Sequence, residues 1–171
     1  MKKLDSIYND YEYMNVVYDI LNNDKFKKIE NYKHHGITRL EHSVRVSYYS
    51  YKVSKIMRLN DVATARGGLL HDFFLNENFS PKKQKFRVIL HPYESLHNSC
   101  ETFYVSDMEQ DIIVNHMFPT LPHKIPKYLE SWIVSLVDKI VAVYEFYYSY
   151  GRSYVYRLSN LYIMLLLLKL Y

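Results

Sequence analysis

The stretch GGLLHDFFLNE, residues 67–77, places two glycines one turn before a histidine–aspartate pair in an apolar helical pattern. Gly67 and Gly68 lie four and three residues before His71, on the same side of a helix. Without their side chains, a second helix or a ligand can approach closely. Each glycine costs a helix about 0.8–1 kcal/mol relative to alanine. The pair therefore predicts a crowded site beside His71 and Asp72, although close helix packing alone would also account for it.

Length and composition indicate one folded domain. With 171 residues the chain can bury a core without crosslinks, and 49% hydrophobic and 16% aromatic residues exclude a disordered chain. Only 4 glycines and 5 prolines are present, which favours long helices over a many-stranded sandwich. The single cysteine, Cys100, excludes an internal disulfide and a zinc knuckle, and it fits a reducing compartment.

Charge and hydropathy patterns limit the kinds of partner. The first 20 residues carry charges throughout their apolar part, which is not typical of a signal peptide. The apolar run 161–168 is much shorter than the roughly 20 residues of a membrane-spanning helix. We therefore expect a cytoplasmic protein outside the membrane, with this run forming a buried C-terminal helix or a contact in a homo-oligomer. The net charge of +4, with basic clusters only at 25–28 and 82–87, is too small for stable binding of a nucleic-acid duplex.

Helical periodicity predicts the fold class. Apolar residues recur at helical spacing and no segment shows the alternation of a strand, so we expect an all-α protein. Thr38 and Glu41 have the spacing of a capping box, Ser106 or Asp107 is suited to cap a later helix, and Pro92 suits a first helical turn. The predicted helices cover 7–22, 38–59, 61–74, 92–104, 107–117, 127–149 and 153–170, with a loop over 75–90.

Three further histidines are predicted to point inward. His42 shares an apolar stripe with Val46 and Tyr49, and His116 follows Ile112 by one turn. His91 precedes a proline at a predicted helix start, where its ring is free to turn inward. Taken alone, His42 is better explained as a hydrogen-bonded core histidine, and each of the other rings is by itself a weak signal.

Asp138 carries the strongest single signal. It lies between Val134 and Val141 in a helix that is apolar on its other face as well, which predicts a buried helix. A buried ionised carboxylate costs several kcal/mol unless a cation compensates it. No basic residue lies one turn away, and Lys139 is predicted to point about 100° away from it. A metal ion or a salt bridge from a distant basic residue would satisfy the carboxylate.

Together these side chains predict a shared cation site. Four histidines and two aspartates on five predicted helices are all biased inward, and one bound cation would satisfy them collectively. Imidazole nitrogens with carboxylate oxygens and no thiolate suit iron, manganese or zinc better than calcium.

The same residues, in this order, resemble the HD-domain phosphohydrolase superfamily. The order H…HD…H…H…D and the flanking segments GGLLHDFF, IIVNHMFP and LVDKI carry the resemblance, which covers residues 34–146. It implies that residues 1–171 form a single HD domain, a helical bundle around a central metal site, with the N- and C-terminal helices packed on it. The residues that match the pattern are His42, His71, Asp72, His91, His116 and Asp138.

The resemblance also implies how many metal ions are bound and which residues bind them. His42, His71, Asp72 and Asp138 match the ligands of a first metal, and the additional His91 and His116 match the branch that holds a second metal. In that branch Asp72 bridges the two ions and belongs to the catalytic centre. The implied cofactors are two divalent ions, iron or manganese first, with zinc, cobalt and nickel as alternatives.

The resemblance leaves several activities open. The binuclear pattern is most similar to symmetrical dinucleoside-tetraphosphate hydrolases, and it occurs in cyclic-dinucleotide phosphodiesterases and in di-iron oxygenases. The lysine that follows the HD pair in the cyclic-dinucleotide group is missing from HDFFLNE. We expect hydrolysis of a small-molecule phosphoester or phosphoanhydride, such as a nucleotide, by a metal-activated hydroxide. A di-iron oxygenase and a non-catalytic metal- or nucleotide-binding module are the alternatives.

Three residues are candidates for contacts with such a substrate. Arg39 lies one turn before His42 and could bind phosphate through two nitrogens, although a surface salt bridge to an acid such as Glu41 is equally compatible. Lys139 could neutralise a leaving group or play a structural part. His35 lies just ahead of the first ligand helix, where it could touch substrate or stay in solvent.

Overall fold

The computed structural model describes residues 4–34, 37–80, 82 and 84–151, and within them the chain is all-α. The helices are α1 (Leu4–Tyr8), α2 (Tyr11–Leu21), α3 (Asp24–Lys27), α4 (Arg39–Met57), α5 (Asp61–Leu70), α6 (Arg87–Thr102), α7 (Asp107–Asn115) and α8 (Leu129–Phe146). Short 3-10 turns cover Lys28–Asn31, Asn76–Asn78 and Gln84–Phe86, and a π-helical turn covers Tyr147–Gly151. β1 (Lys33–His34) and β2 (Ile37–Thr38) form one small antiparallel pair with Lys33 opposite Thr38. In the described ranges, no helix has the length and apolarity needed to cross a bilayer.

Two helix starts are held by reciprocal side-chain caps. Thr38 Oγ1 accepts the Glu41 N–H at 3.2 Å, and Glu41 Oε2 accepts the Thr38 N–H at 3.2 Å, so the predicted capping box of α4 is confirmed. Ser106 and Glu109 form the same box at α7, with the Glu109 carboxylate 2.7 Å from the Ser106 nitrogen. Local hydrogen bonding of this kind depends on residues three apart, so the sequence alone could specify it.

Three predicted helix boundaries are wrong. The segment predicted as one helix over 7–22 is broken, because Asp10 Oδ1 accepts the Tyr13 N–H and caps a new helix at Tyr11. α6 begins at Arg87, five residues before Pro92, because a proline inside a helix removes one hydrogen bond without preventing a turn ahead of it. α5 ends at Leu70, so His71 and Asp72 lie in a turn directly beyond the helix. The helix predicted over 153–170, and with it the proposed oligomer contact, lies outside the described residues.

The two glycines of α5 mark close helix packing. A β-carbon added to Gly68 would lie 3.1 Å from the Ser47 Cα of α4, and one added to Gly67 would lie 2.9 Å from Ile112 Cδ1 of α7. At the end that carries His71, α5 therefore packs closely against the backbone of α4 and against the Ile112 side chain of α7. Helix packing accounts for the glycines, and the same packing crowds the site that follows them.

The apolar core has two parts. The larger cluster joins α2, α4 and α5 around buried aromatic rings, among them Tyr13, Tyr48 and Phe73. The smaller cluster joins the inner face of α8, through Val134, Val137 and Val141, to residues of α4 and α7. The site lies where α8 meets α4 and α5, so the smaller cluster sets the position of Asp138.

α8 is buried on one face only, which corrects the prediction that both of its faces are covered. Leu129, Leu136 and Ile140 are 59%, 63% and 55% exposed, whereas Asp138 on the inner face is 9% exposed. An apolar pattern identifies residues able to be buried, but only neighbouring elements decide which face they cover.

The close contact at Gly67 gives a stability prediction. Gly67→Ala should lower the free energy of unfolding by about 1–3 kcal/mol, because overpacking against Ile112 outweighs the higher helix propensity of alanine. Urea unfolding of Gly67→Ala, Ile112→Ala and the double variant measures this effect. The double variant should lose less stability than the sum of the single variants, and strict additivity would contradict the contact.

Candidate metal centre

The structure brings together the six predicted ligand residues from five parts of the chain. His42 lies on α4, His91 on α6 and Asp138 on α8. His71 and Asp72 follow the last residue of α5, and His116 follows the last residue of α7. All six are buried, with exposures between 0% and 9%: His42, His71, Asp72, His91, His116 and Asp138.

One group of ligand atoms centres on Asp138. Its Oδ1 lies 3.0 Å from His42 Nε2 and 3.8 Å from His71 Nε2. These three side chains offer ligand atoms that all lie within 4.8 Å of one another, so they could hold a metal ion.

A second group centres on Asp72. Its Oδ1 lies 3.4 Å from His91 Nε2 and 3.9 Å from His116 Nε2, while its Oδ2 lies 3.9 Å from His71 Nε2. His71, Asp72 and His116 form a second cluster that could hold a metal ion. The two oxygens of Asp72 therefore face different histidines.

Backbone carbonyls orient three of the four rings. His71 Nδ1 lies 2.7 Å from Gly68 O, His116 Nδ1 lies 2.8 Å from Ile113 O, and His91 Nδ1 lies 3.2 Å from Arg87 O. A carbonyl oxygen only accepts, so each Nδ1 carries the proton and donates it. Each Nε2 is thereby directed toward the carboxylates, which is the arrangement of a histidine prepared to bind a metal.

Two of these rings are kept neutral. Burial lowers the pKa of His91, and burial together with the neighbouring His71 and His91 rings lowers the pKa of His116 well below its ordinary value. Their Nε2 atoms lie only 3.0 Å apart. With both Nδ1 atoms protonated and both rings neutral, two lone pairs face each other, and a cation would relieve that repulsion.

The buried Nε2 atom of His71 indicates that a metal ion fits between these residues. This atom has no hydrogen-bond partner among the described residues, and it belongs to both ligand clusters. An unsatisfied buried polar atom costs about 1–3 kcal/mol. The donor set of imidazole nitrogens and carboxylate oxygens suits a divalent transition metal, so the residues present fit such an ion.

His42 is oriented differently, by a carboxylate that the sequence analysis missed. Its Nδ1 lies 2.7 Å from Glu145 Oε2, and Glu145 is 2% exposed. Burial alone would lower the pKa of His42, but hydrogen bonds to Asp138 and Glu145 outweigh it and raise the pKa to about 10. Glu145 follows Asp138 by seven residues, two helical turns on the same face, and that spacing was the signal available in the sequence.

Asp138 also has a basic partner, which corrects the expectation that Lys139 points away. Lys139 Nζ lies 3.0 Å from Asp138 Oδ2 and donates to the backbone carbonyl of His116. The flexible lysine side chain bends back toward its neighbour, which the direction of its Cα–Cβ bond alone does not predict. Burial opposes ionisation of Asp138, yet the hydrogen bond from His42, the nearby His71 ring and the Lys139 ammonium hold the pKa of Asp138 well below its usual range.

Five of the six side chains, all except His42, line a cavity of about 370 Å³ with cationic walls. Arg39 lines it and is 3% exposed, so it is not in a surface salt bridge. Its guanidinium lies 3.7 Å from the Phe74 ring centroid, donates to Phe74 O at 2.5 Å and to Asn76 Oδ1 at 3.3 Å. Lys139 and Arg87 also line the cavity. Arg39 thus holds the segment after Asp72 in place while adding positive charge beside the ligands.

Lys82 and Lys85, in the segment leading to His91, are exposed. His35, the remaining candidate for a substrate contact, lies outside the described residues. Comparison of the chain with protein-family models, with curated proteins and with solved structures gives no match in any of the three.

The burial of His91 and His116 predicts how the stability of the metal-free protein changes between pH 6.5 and pH 5. Because the pKa values of His91 and His116 are lowered by folding, both rings take up protons on unfolding in this range, and stability should fall as the pH falls. His42, with a raised pKa, contributes fully below pH 6.5 and adds no slope there.

Melting temperatures measured in the presence of chelator test this prediction. His116→Gln should reduce the decrease in melting temperature between pH 6.5 and pH 5. His97→Gln, which changes an exposed histidine of α6, should leave that decrease as it is in the wild type. Equal pH dependence in the wild type and in His116→Gln would contradict the assignment.

Proposed function

We propose that this chain is a metal-dependent phosphohydrolase with a single HD-type domain, acting on a phosphoester or phosphoanhydride of a small molecule such as a nucleotide. The observation that carries the proposal is the convergence of six buried candidate ligand side chains, five of which line a cavity with cationic walls. The resemblance to the HD pattern supports it, because the residues that match the pattern are the residues that meet here.

We assign the ligands to two divalent ions on the basis of the two clusters. His42, His71, Asp138 and Oδ2 of Asp72 would hold the first ion. His91, His116 and Oδ1 of Asp72 would hold the second. Iron and manganese suit this donor set, and zinc, cobalt and nickel share it.

The reaction divides between the ions and the side chains. When bound, two divalent ions supply a water of lowered pKa and neutralise phosphoryl oxygens. Asp72 holds the two ligand groups at a constant separation through its two oxygens, and this is the catalytic role that we assign to it. The carbonyl-bound rings of His71, His91 and His116 keep their Nε2 lone pairs directed at the site, so little reorganisation is needed.

Cationic side chains support a substrate with negative charge. Arg39 is buried beside Asp72, and Lys139 and Arg87 lie on the walls, so an anionic group that enters the cavity meets positive charge on several sides. Arg39 keeps its guanidinium in one orientation through Phe74 and Asn76, which favours directional recognition of a phosphoryl group.

The cavity size supports a small-molecule substrate. A volume of about 370 Å³ is at the lower end of the roughly 300–1,000 Å³ range of ligand pockets. Such a cavity suits a mononucleotide or a similar phosphoester better than a polymer.

The assignment of two ions predicts a change in metal stoichiometry. Protein purified anaerobically and loaded with manganese should contain two ions per chain. His91→Ala should contain one, because that ring has a place only in the second group. His97→Ala on the same helix changes an exposed ring and should retain two ions. Elemental analysis that finds one ion in the wild type, and the same occupancy in His91→Ala, excludes a binuclear centre.

A substrate panel tests the reaction itself. Manganese-loaded protein should release phosphate or a nucleotide from at least one member of a panel of nucleotides and phosphoesters under anaerobic conditions. Asp72→Asn should lower that rate at least 100-fold, whereas Asp107→Asn, at the exposed start of α7, should not change it. If nothing is hydrolysed and iron-loaded protein consumes oxygen in a substrate-dependent way, the chain is a di-iron oxygenase and the hydrolase proposal is wrong.

A further inference from the structure

A row of alternating charges connects α4 and α8 through the candidate metal centre. We call it the α4–α8 charge row, and it consists of Lys139, Asp138, His42, Glu145 and Arg45. The contacts are 3.0 Å from Lys139 to Asp138, 3.0 Å from Asp138 to His42, 2.7 Å from His42 to Glu145, and 3.0 Å from Glu145 to Arg45. Every neighbouring pair can attract, and no two carboxylates are adjacent in the row.

Glu145 occupies the position behind the His42 ligand. Its Oε2 meets His42 Nδ1, the ring nitrogen on the side away from Asp138, and its Oε1 meets Arg45 Nη1. Each carboxylate oxygen of Glu145 therefore has its own hydrogen-bond partner. The carboxylate is 2% exposed, so solvent provides little alternative hydrogen bonding for His42 Nδ1.

His42 differs from the other three candidate ligand histidines in the group that holds its Nδ1 atom. The Nδ1 atoms of His71, His91 and His116 are held by backbone carbonyls of the helices that precede them or contain them. His42 Nδ1 instead meets a side chain from another helix, so its orientation depends on α4 and α8 being docked.

We propose that Glu145 is a positioning residue that keeps the His42 proton on Nδ1 and so presents His42 Nε2 as a metal ligand. A ring that binds a metal has given up one of its two protons. Without the carboxylate, the remaining proton can stay on Nε2 and be donated to Asp138, which removes both atoms from the ligand set. A carboxylate behind a ligating histidine fixes the tautomer and strengthens the ligand, and its loss typically costs 10–100-fold in metal affinity.

Arg45 has the matching task of fixing Glu145. It lies one turn after His42 on α4, and its side chain is 16% exposed. By accepting from Arg45, the Glu145 carboxylate is held with its other oxygen toward the His42 ring. The inference rests on the metal centre of the proposed function, but it does not depend on which reaction that centre catalyses.

Metal affinity, measured with Co²⁺ alone by its visible absorption and with Mn²⁺ by competition, tests the proposal without any substrate. Glu145→Gln should weaken the site that contains His42 about 10-fold, because the amide can accept a hydrogen bond but lacks the charge. Glu145→Leu should weaken it about 100-fold, and Arg45→Met should weaken it by a smaller factor in the same direction.

Glu130→Gln is the matched control. Glu130 is a carboxylate of the same helix with 6% exposure, and it accepts the Asn60 N–H instead of a histidine. If Glu145 had only a structural role, Glu145→Gln would lower the melting temperature of the metal-free protein and leave the dissociation constants for Co²⁺ and Mn²⁺ within about twofold of the wild type. That result would overturn the proposal.

The wild-type protein provides a test that needs no variant. In the Zn²⁺-loaded protein, long-range ¹H–¹⁵N correlations should show His42 protonated on Nδ1 and not on Nε2. Protonation on Nε2 would overturn the proposal, and a wild-type protein that binds none of these ions would overturn it together with the metal centre. Metal binding without hydrolysis would contradict the proposed reaction and leave the role of Glu145 intact.

Discussion

The buried Nε2 of His71 is the constraint around which the site is organised. Nδ1 of the same ring donates a hydrogen bond to a backbone carbonyl, so Nε2 carries a lone pair. This buried lone pair faces Asp72 and Asp138. Lone pairs and carboxylates that converge in a buried space repel one another unless a cation lies between them. A divalent ion would resolve that repulsion for both clusters, because His71 belongs to each of them.

Helix packing places that atom where it can act. Gly67 allows α5 to approach the Ile112 side chain of α7, and Gly68 allows it to approach the backbone of α4. The chain turns directly afterwards, so His71 and Asp72 emerge at the point where the helices meet. Ending the helix before the ligands frees its last carbonyls, and the His71 ring accordingly donates to one of them. His116 repeats this arrangement at the end of α7. Two helix ends thus supply both the ligands and the groups that orient them.

Basic side chains lie next to or near the acidic side chains and histidines of the site. Glu145 and Arg45 stand behind His42, Lys139 stands beside Asp138, and Arg39 stacks on Phe74 at the edge of the same cavity. Cationic side chains therefore surround the carboxylates without occupying the space between the ligand atoms. The same arrangement would leave positive charge available to an anionic substrate once ions neutralise the carboxylates, which connects the packing of α4 and α8 to the proposed chemistry.

The sequence by itself determined the all-α class, the cap at Thr38 and the inward bias of the six candidate ligand residues, because these follow from residue types and spacings along the chain. Only the tertiary structure decided which atoms meet. The donation of Arg39 to Phe74 O, the contact of Glu145 with His42 and the exposure of the outer face of α8 depend on how separate helices dock. How the helices dock depends on the shapes and the burial of side chains across the whole core. The periodicity within one segment therefore does not predict it.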